Sequence, residues 1–267
     1  FNLFKPRNKS IPLYLINNFE MKHFIIYTLL LFSAAQCSSE LVFKEQSFQK
    51  KTTLPCTENC PFISVKIPVA NGVPIVADSI NKKVFSVLKE IVYFGEKPYS
   101  AKDYTSLLTS FIGSYEKLQK EFPNDKFGWE ADIEGSVKYL SEAVLNIEIN
   151  HYTYTGGAHG YQGLRSLLFD PNTGKSISNY QLFNDRAAFE AFAEKKFRAK
   201  YKIPASKPIN ATGLMFEDEK FQLPQNIFFT DKGLLLYYNS YEIASYADGP
   251  KELLFSYKEV NDYLLIQ

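Results

Sequence analysis

The sequence is poor in the residues that build metal and redox centres. It has 3 Cys and 3 His in 267 residues, too few for a multi-metal site or a disulfide-dense miniprotein. It also lacks an excess of positive charge. Lys and Arg number 30 against 29 Asp and Glu, so there is no electrostatic footprint for nucleic acid. The apolar run from Phe24 to Ala35 falls short of the roughly twenty residues that cross a ~30 Å hydrocarbon core. What is abundant is apolar and aromatic side chain: 45% hydrophobic residues, with 23 Phe and 18 Tyr. That composition excludes a disordered chain and suits one large domain or two small ones.

The N-terminal region reads as an address. Met21-Lys22-His23 precedes the apolar run, and small residues (Ser33, Ala34, Ala35) close it, the pattern of a secretory signal. Cys37 follows, as in a bacterial lipoprotein signal in which the Cys becomes the lipidated first residue. Cleavage after Ala35 by an ordinary signal peptidase is the alternative. Residues 1–20 are set aside as an upstream extension and 21–36 as the signal. Lys5, Arg7, Lys9 and Lys22 against Glu20 fall in this stretch, which leaves the remainder a net charge of −2. A polybasic patch therefore cannot hold the protein to a membrane, whereas an acyl chain contributes ~0.8 kcal/mol per buried CH₂. The expectation is an exported bacterial lipoprotein at the periplasm or cell surface.

Export frames the other two cysteines. Cys56 and Cys60 lie in Cys-Thr-Glu-Asn-Cys. A zinc site needs two more soft ligands, and only His151 and His159 are on offer, far along the chain. A local disulfide is the better reading in an oxidising compartment. A redox-active pair normally has two intervening residues rather than three.

Residues 37–59 are polar and lysine-rich and read as a tether. Phe62 to Val69 alternates as a strand. A helix follows, capped by Asp78 or Ser79, with Ile80, Val84, Val87, Leu88 and Ile91 on one face. A second helix starts from Ser100 and carries an apolar stripe from Tyr104 to Leu118. The period then becomes two. Trp129, Ala131 and Ile133 alternate with Glu130, Asp132 and Glu134, and Leu145, Ile147, Ile149, His151 and Thr153 share one face of the next strand. A third strand covers Leu164 to Phe169. Phe189, Phe192, Ala193 and Phe197 define a helix from about Asp185 to Tyr201. Residues 203–226, with Pro204, Pro208 and Pro224, read as a surface connection. The Asn210-Ala211-Thr212 sequon within it reads as chance. A hairpin turns at Asp231-Lys232-Gly233, a last strand covers Leu253 to Phe255, and Ser256 to Glu259 is a capping box. The pattern predicts α+β: an antiparallel sheet of several hairpins with helices on one face, in two intertwined subdomains.

One loop stands out. Tyr152-Thr153-Tyr154-Thr155-Gly156-Gly157-Ala158-His159-Gly160 has three Gly in five residues, which permits positive φ and close backbone approach. Its amides can form an anion-holding nest, its rings can stack on a sugar or a partner side chain, and His159 can exchange a proton. A tight structural turn locked by His159 is the simpler reading. No Gly-Lys-Ser/Thr follows, so it is not a phosphate-binding loop.

The loop, with Leu168-Phe169-Asp170 and Thr173-Gly174-Lys175, resembles a family of exported bacterial proteins. These pair the domain named after the peptidoglycan deacetylase PdaC with the C-terminal domain of the anti-sigma factor RsiV. Phe229-Thr230-Asp231-Lys232-Gly233-Leu234 and Tyr241-Glu242-Ile243-Ala244-Ser245-Tyr246-Ala247-Asp248-Gly249-Pro250 resemble the second of these. The resemblance places a PdaC-type domain over 60–175 and an RsiV-type domain over 176–267. It implies a binding module. The exported part of RsiV is a lysozyme receptor, and in PdaC the domain accompanies a separate catalytic one. No catalytic residue, metal or cofactor is implied.

The leading expectation is a lipid-anchored envelope protein that binds a lysozyme-like protein or a peptidoglycan-type glycan. Its site would comprise Tyr152, Tyr154, Gly156, Gly157, His159, Gly160 and Tyr241. The alternative is an envelope polysaccharide hydrolase or deacetylase accessory using His159, helped by His151 and by Glu148 or Asp170. Strand parity sets Glu148 and His151 on opposite faces, and no His-Glu-x-x-His or Gly-x-Ser-x-Gly motif is present.

Overall fold

The computed structural model describes residues 40–124 and 128–266. The expected extension, the signal peptide and the lipidation site at Cys37 lie outside the described residues. From Leu41 onward the chain is one unit.

Alternating residues build a five-stranded sheet in the order of the sequence: β1 (Val42–Lys51), β2 (Phe62–Asn71), β3 (Glu130–Leu140), β4 (Leu145–Tyr154) and β5 (Tyr161–Phe169). Neighbours pair antiparallel except β2 and β3, which run parallel. The exception has a topological cause. The chain leaves β2 through two helices, α1 (Pro74–Ile91) and α2 (Tyr104–Glu121), a crossover long enough for the next strand to run in the same direction. Both helices lie on one face of the sheet. Ile80, Val84 and Leu88 of α1 and Leu107, Phe111 and Ile112 of α2 bury against Ile63, Val65, Ile133, Ile147 and Ile149.

Two helix starts differ from expectation. α1 begins at Pro74, whose fixed φ suits the first turn, and Val73 gives no side-chain cap. Asp78 instead pairs with Lys82 on the helix surface. Ser79 donates to the carbonyl of Gly174, docking the 170–175 turn on α1. α2 is capped by Asp103, not Ser100, in a reciprocal box with Ser106.

Residues 42–51, expected within a tether, form β1. Its side chains are mostly exposed on both faces, and only Phe43 and Phe48 pack on the core, so the strand carries little apolar alternation. Strand pairing with β2 specifies it instead. The segment 203–226 is likewise more than a surface connection. Ile203, Ile209, Leu214, Phe216 and Phe221 are buried. Asn210 clamps the segment by bonding Phe216 through both its amide nitrogen and its amide oxygen.

The second module has a three-stranded antiparallel sheet: β6 (Asn226–Thr230), β7 (Gly233–Tyr238) and β8 (Lys251–Phe255). Helices α3 (Arg186–Lys200) and α4 (Tyr257–Val260) pack on it through Phe189, Phe197 and Val260. Val144 and Leu168 of the first module are buried in the same cluster.

Buried asparagines join the modules. β5 is an edge strand, and an open edge with unpaired amides is a liability. Here Asn239 accepts from the Leu164 amide at 2.8 Å and donates to the Leu164 carbonyl at 3.0 Å. Asn226 accepts from the Ser166 amide at 3.0 Å, and the Ser166 hydroxyl donates to the Ile227 carbonyl at 2.6 Å. Asn146, fully buried in β4, accepts from the Phe229 amide of β6 at 2.8 Å and donates to Ser166 at 2.9 Å. Side-chain amides thus stand where the backbone of a sixth strand would.

Candidate functional site

The register places the chemistry at one end of the large sheet. Lys51 pairs with Phe62, Phe62 with Glu130, Glu130 with Tyr154, and Thr153 with Tyr161. The loop after β1, the start of β3 and the glycine-rich loop after β4 therefore share this end. Cys56 and Cys60 are joined by a disulfide, with Cα atoms 5.6 Å apart. Asn59 between them packs its carbonyl so closely on Gly128 that a Cβ there would lie 1.9 Å from the oxygen.

In the glycine-rich loop, Gly156 and Gly157 have φ of 107° and 95°, with open space where a Cβ would point. Their requirement is conformational. Gly160 is needed for space. A Cβ there would lie 2.3–2.5 Å from the ring end of Tyr152. Tyr154 donates to the Gly157 carbonyl at 3.0 Å, closing the turn. Burial, then the charge of Glu130, then Tyr246 and Tyr154, raise the Tyr152 pKa, so the phenol stays neutral beside these groups.

His159 is exposed, and its ring is held from three sides. Nδ1 lies 2.8 Å from the Gly160 carbonyl, which can only accept, so Nδ1 carries the proton. Nε2 lies 3.3 Å from the Tyr241 hydroxyl and accepts from it in the neutral ring. The ring stacks on Tyr246, with centroids 4.0 Å apart and planes at 17°. Tyr241 lies 6.4 Å away at 20°, and the two tyrosines are 5.5 Å from each other. The result is an exposed ledge of three flat rings.

Tyr241 and Tyr246 sit on the loop after β7. Tyr241 has φ of 69° and is 56% exposed, an unusual conformation for an aromatic residue. Glu242 anchors this loop. Its carboxylate accepts from the amides of Gln225 at 2.8 Å and Asn239 at 2.9 Å. Burial raises the Glu242 pKa, and those two amides and Arg165 act against the rise. Ser245 donates to Asp248 at 2.6 Å, fixing the turn after Tyr246.

Six of the sequence-derived site residues, Tyr152, Tyr154, Gly157, His159, Gly160 and Tyr241, are therefore interlinked, and Tyr246 joins them. Sequence reasoning did not single out Tyr246, although it lies in the same motif as Tyr241. The residues of the catalytic alternative do not converge. His151 is 4% exposed on the helix-covered face, next to Tyr161. Its Nδ1 has no hydrogen-bond partner among the described residues. Burial and then Arg165 push its pKa down to about 4. Glu148 pairs with Lys138, and Asp170 caps its own turn through Asn172 and Thr173. Among the described residues no group of three or more His, Cys, Asp or Glu is placed to hold a metal ion, and no helix is long and apolar enough to cross a membrane.

Comparison with known families divides the chain at this site. The family model described as deacetylase PdaC matches residues 55–162. The model described as a protein of unknown function (DUF3298) matches residues 180–258. The chain has the architecture of a PdaC domain followed by a DUF3298 domain, the order its motifs suggest. His159 falls in the first segment and Tyr241 and Tyr246 in the second. Two solved structures share the fold. A DUF3298 family protein from Pseudomonas aeruginosa PAO1 is 19% identical, with a TM-score of 0.61 over 85% of this chain and 95% of that one. A DUF3298 family member from Bacteroides fragilis is 23% identical, with a TM-score of 0.63 over 86% and 95%. No curated protein matches the chain.

Proposed function

We propose that this protein is an exported, lipid-anchored envelope protein that binds an envelope protein or a peptidoglycan-type glycan, without chemistry of its own. The observation that carries the reading is the ledge of His159, Tyr246 and Tyr241. It is exposed, preorganised by hydrogen bonds and assembled from both domains. Such rings offer large contact area at low entropic cost, with polar edges that set orientation. Residues from two domains meeting on one surface also couple binding to the integrity of the junction. The anchor is Cys37, and the signal-like segment before it supports export.

The test is calorimetric titration of the full chain with lysozyme and with peptidoglycan oligosaccharides. Saturable binding of one of them is expected. His159→Ala and Tyr246→Ala are each expected to weaken it about tenfold or more, the scale of an aromatic contact at the centre of an interface. Absence of binding to both, or unchanged affinity in both variants, contradicts the reading. The deacetylase name of the first domain favours a second reading, catalysis through His159. Turnover of an N-acetylated oligosaccharide that disappears in His159→Ala would establish that reading and overturn ours.

A further inference from the structure

Beside the ledge, a cavity of about 380 Å³ is lined by Asn59, Cys60, Phe62, Trp129, Glu130 and Tyr154. Its floor is one row of the sheet. Phe62, Glu130 and Tyr154 are direct cross-strand partners, so a carboxylate stands between two aromatic rings on the face away from α1 and α2. Its end wall is the backbone of the disulfide-closed loop, seated against Gly128. Glu130 has no ion-pair or hydrogen-bond partner among the described residues. The nearby Lys66 is engaged by Glu45 and Glu134.

A carboxylate flanked by aromatic faces is the chemistry that takes an organic cation, by charge and by cation–π attraction together. We propose that this cavity seats the ammonium group of a lysine side chain from a partner protein. The next row favours a peptide over an amino sugar. Asp132, also without an ion-pair or hydrogen-bond partner among the described residues, lies two residues along β3 on the same face, opposite Tyr152. Alternate side chains of a strand stand about 6.5–7 Å apart, the spacing of alternate side chains in an extended peptide. An extended Lys-x-Lys segment lying along β3 would thus meet Glu130 and Asp132 in turn. This inference rests on the reading that this end of the molecule binds a partner, and it names the chemistry of a second contact next to the ledge.

The experiment is a titration of the full chain with acetyl-Lys-Ser-Lys-amide, followed by calorimetry and by emission of Trp129, the only Trp. Saturable binding is expected, weakened about tenfold in Glu130→Gln, the scale of one desolvated cation contact. The peptide with norleucine in place of lysine is expected not to bind. Titrations with lysozyme and with peptidoglycan oligosaccharides, which read the ledge, are run on the same unmodified protein, so that loss of peptide binding with those isotherms intact separates failure here from failure of the ledge. No saturable binding of the lysine peptide, equal affinity in Glu130→Gln, equal affinity of the norleucine peptide, or binding of glucosamine in place of the peptide each overturns the proposal.

Discussion

His151 shows how one side chain ties packing to solution behaviour. Its folded pKa lies at about 4 against an ordinary 6.5, because burial, and then Arg165, disfavour the charged ring. The unfolded chain therefore takes up the proton first as pH falls. The stability this neutral ring permits is fully present above about pH 6.5. It declines between there and about pH 4 by roughly 3 kcal/mol, where the folded form protonates too. Denaturant unfolding at pH 7 and pH 4.5 measures this. The fall is expected to be smaller in His151→Leu, which removes both the titration and the unpartnered Nδ1, and an identical fall would contradict the assignment. Asn146 makes the opposite case, a buried polar group with its partners in place. Asn146→Ala leaves the Phe229 amide without its acceptor and is expected to cost about 2–3 kcal/mol. Equilibrium unfolding reads that loss directly. The contrast also explains what a sequence can and cannot say about a residue. Tyr152, Tyr154, His159 and Gly160 stand out through glycine spacing. Tyr246 becomes a site residue only because a loop some ninety residues downstream folds onto His159, a long-range contact with no local periodicity.

The elements with strong periodicity were legible: the stripes of α1, α2 and α3 and the alternation of β3 and β4 follow directly from apolar spacing. Those held by partners were not. β1 is mostly polar, without apolar alternation, and becomes a strand by pairing with β2. The 203–226 segment buries Phe216 and Phe221 by irregular turns, with the Asn210 clamp in place of a repeating pattern. At this scale the glycines make separable predictions. Gly156→Ala and Gly157→Ala meet no atom but must adopt positive φ, so each is expected to cost about 1 kcal/mol in stability with little other effect. Gly160→Ala meets the Tyr152 ring and is expected to displace it, lowering ligand affinity more than melting temperature. Melting curves alongside binding isotherms distinguish the two classes.

For the whole molecule, the parallel β2–β3 pair and the docking of the second module on the β4–β5 end of the large sheet were beyond local reading, because both depend on where the chain returns. Helices cover one face, the second module's core takes in Val144 and Leu168 from the first, and asparagine side chains cap the β5 edge. The two domains are therefore expected to unfold together. Calorimetry of the full chain is expected to give one transition, and Asn226→Ala with Asn239→Ala is expected to split or broaden it. Two separated transitions in the unmodified protein would contradict this coupling. The same coupling holds the ledge, since His159 comes from one domain and Tyr241 and Tyr246 from the other. The most direct measurement of the account is nuclear magnetic resonance of the histidine rings during titration of the full chain with the ligand that binds, lysozyme or peptidoglycan fragment. The account predicts that the His159 ring signals move to saturation with the binding curve while those of His151 stay in place. A saturated complex in which the His159 signals have not moved would contradict it.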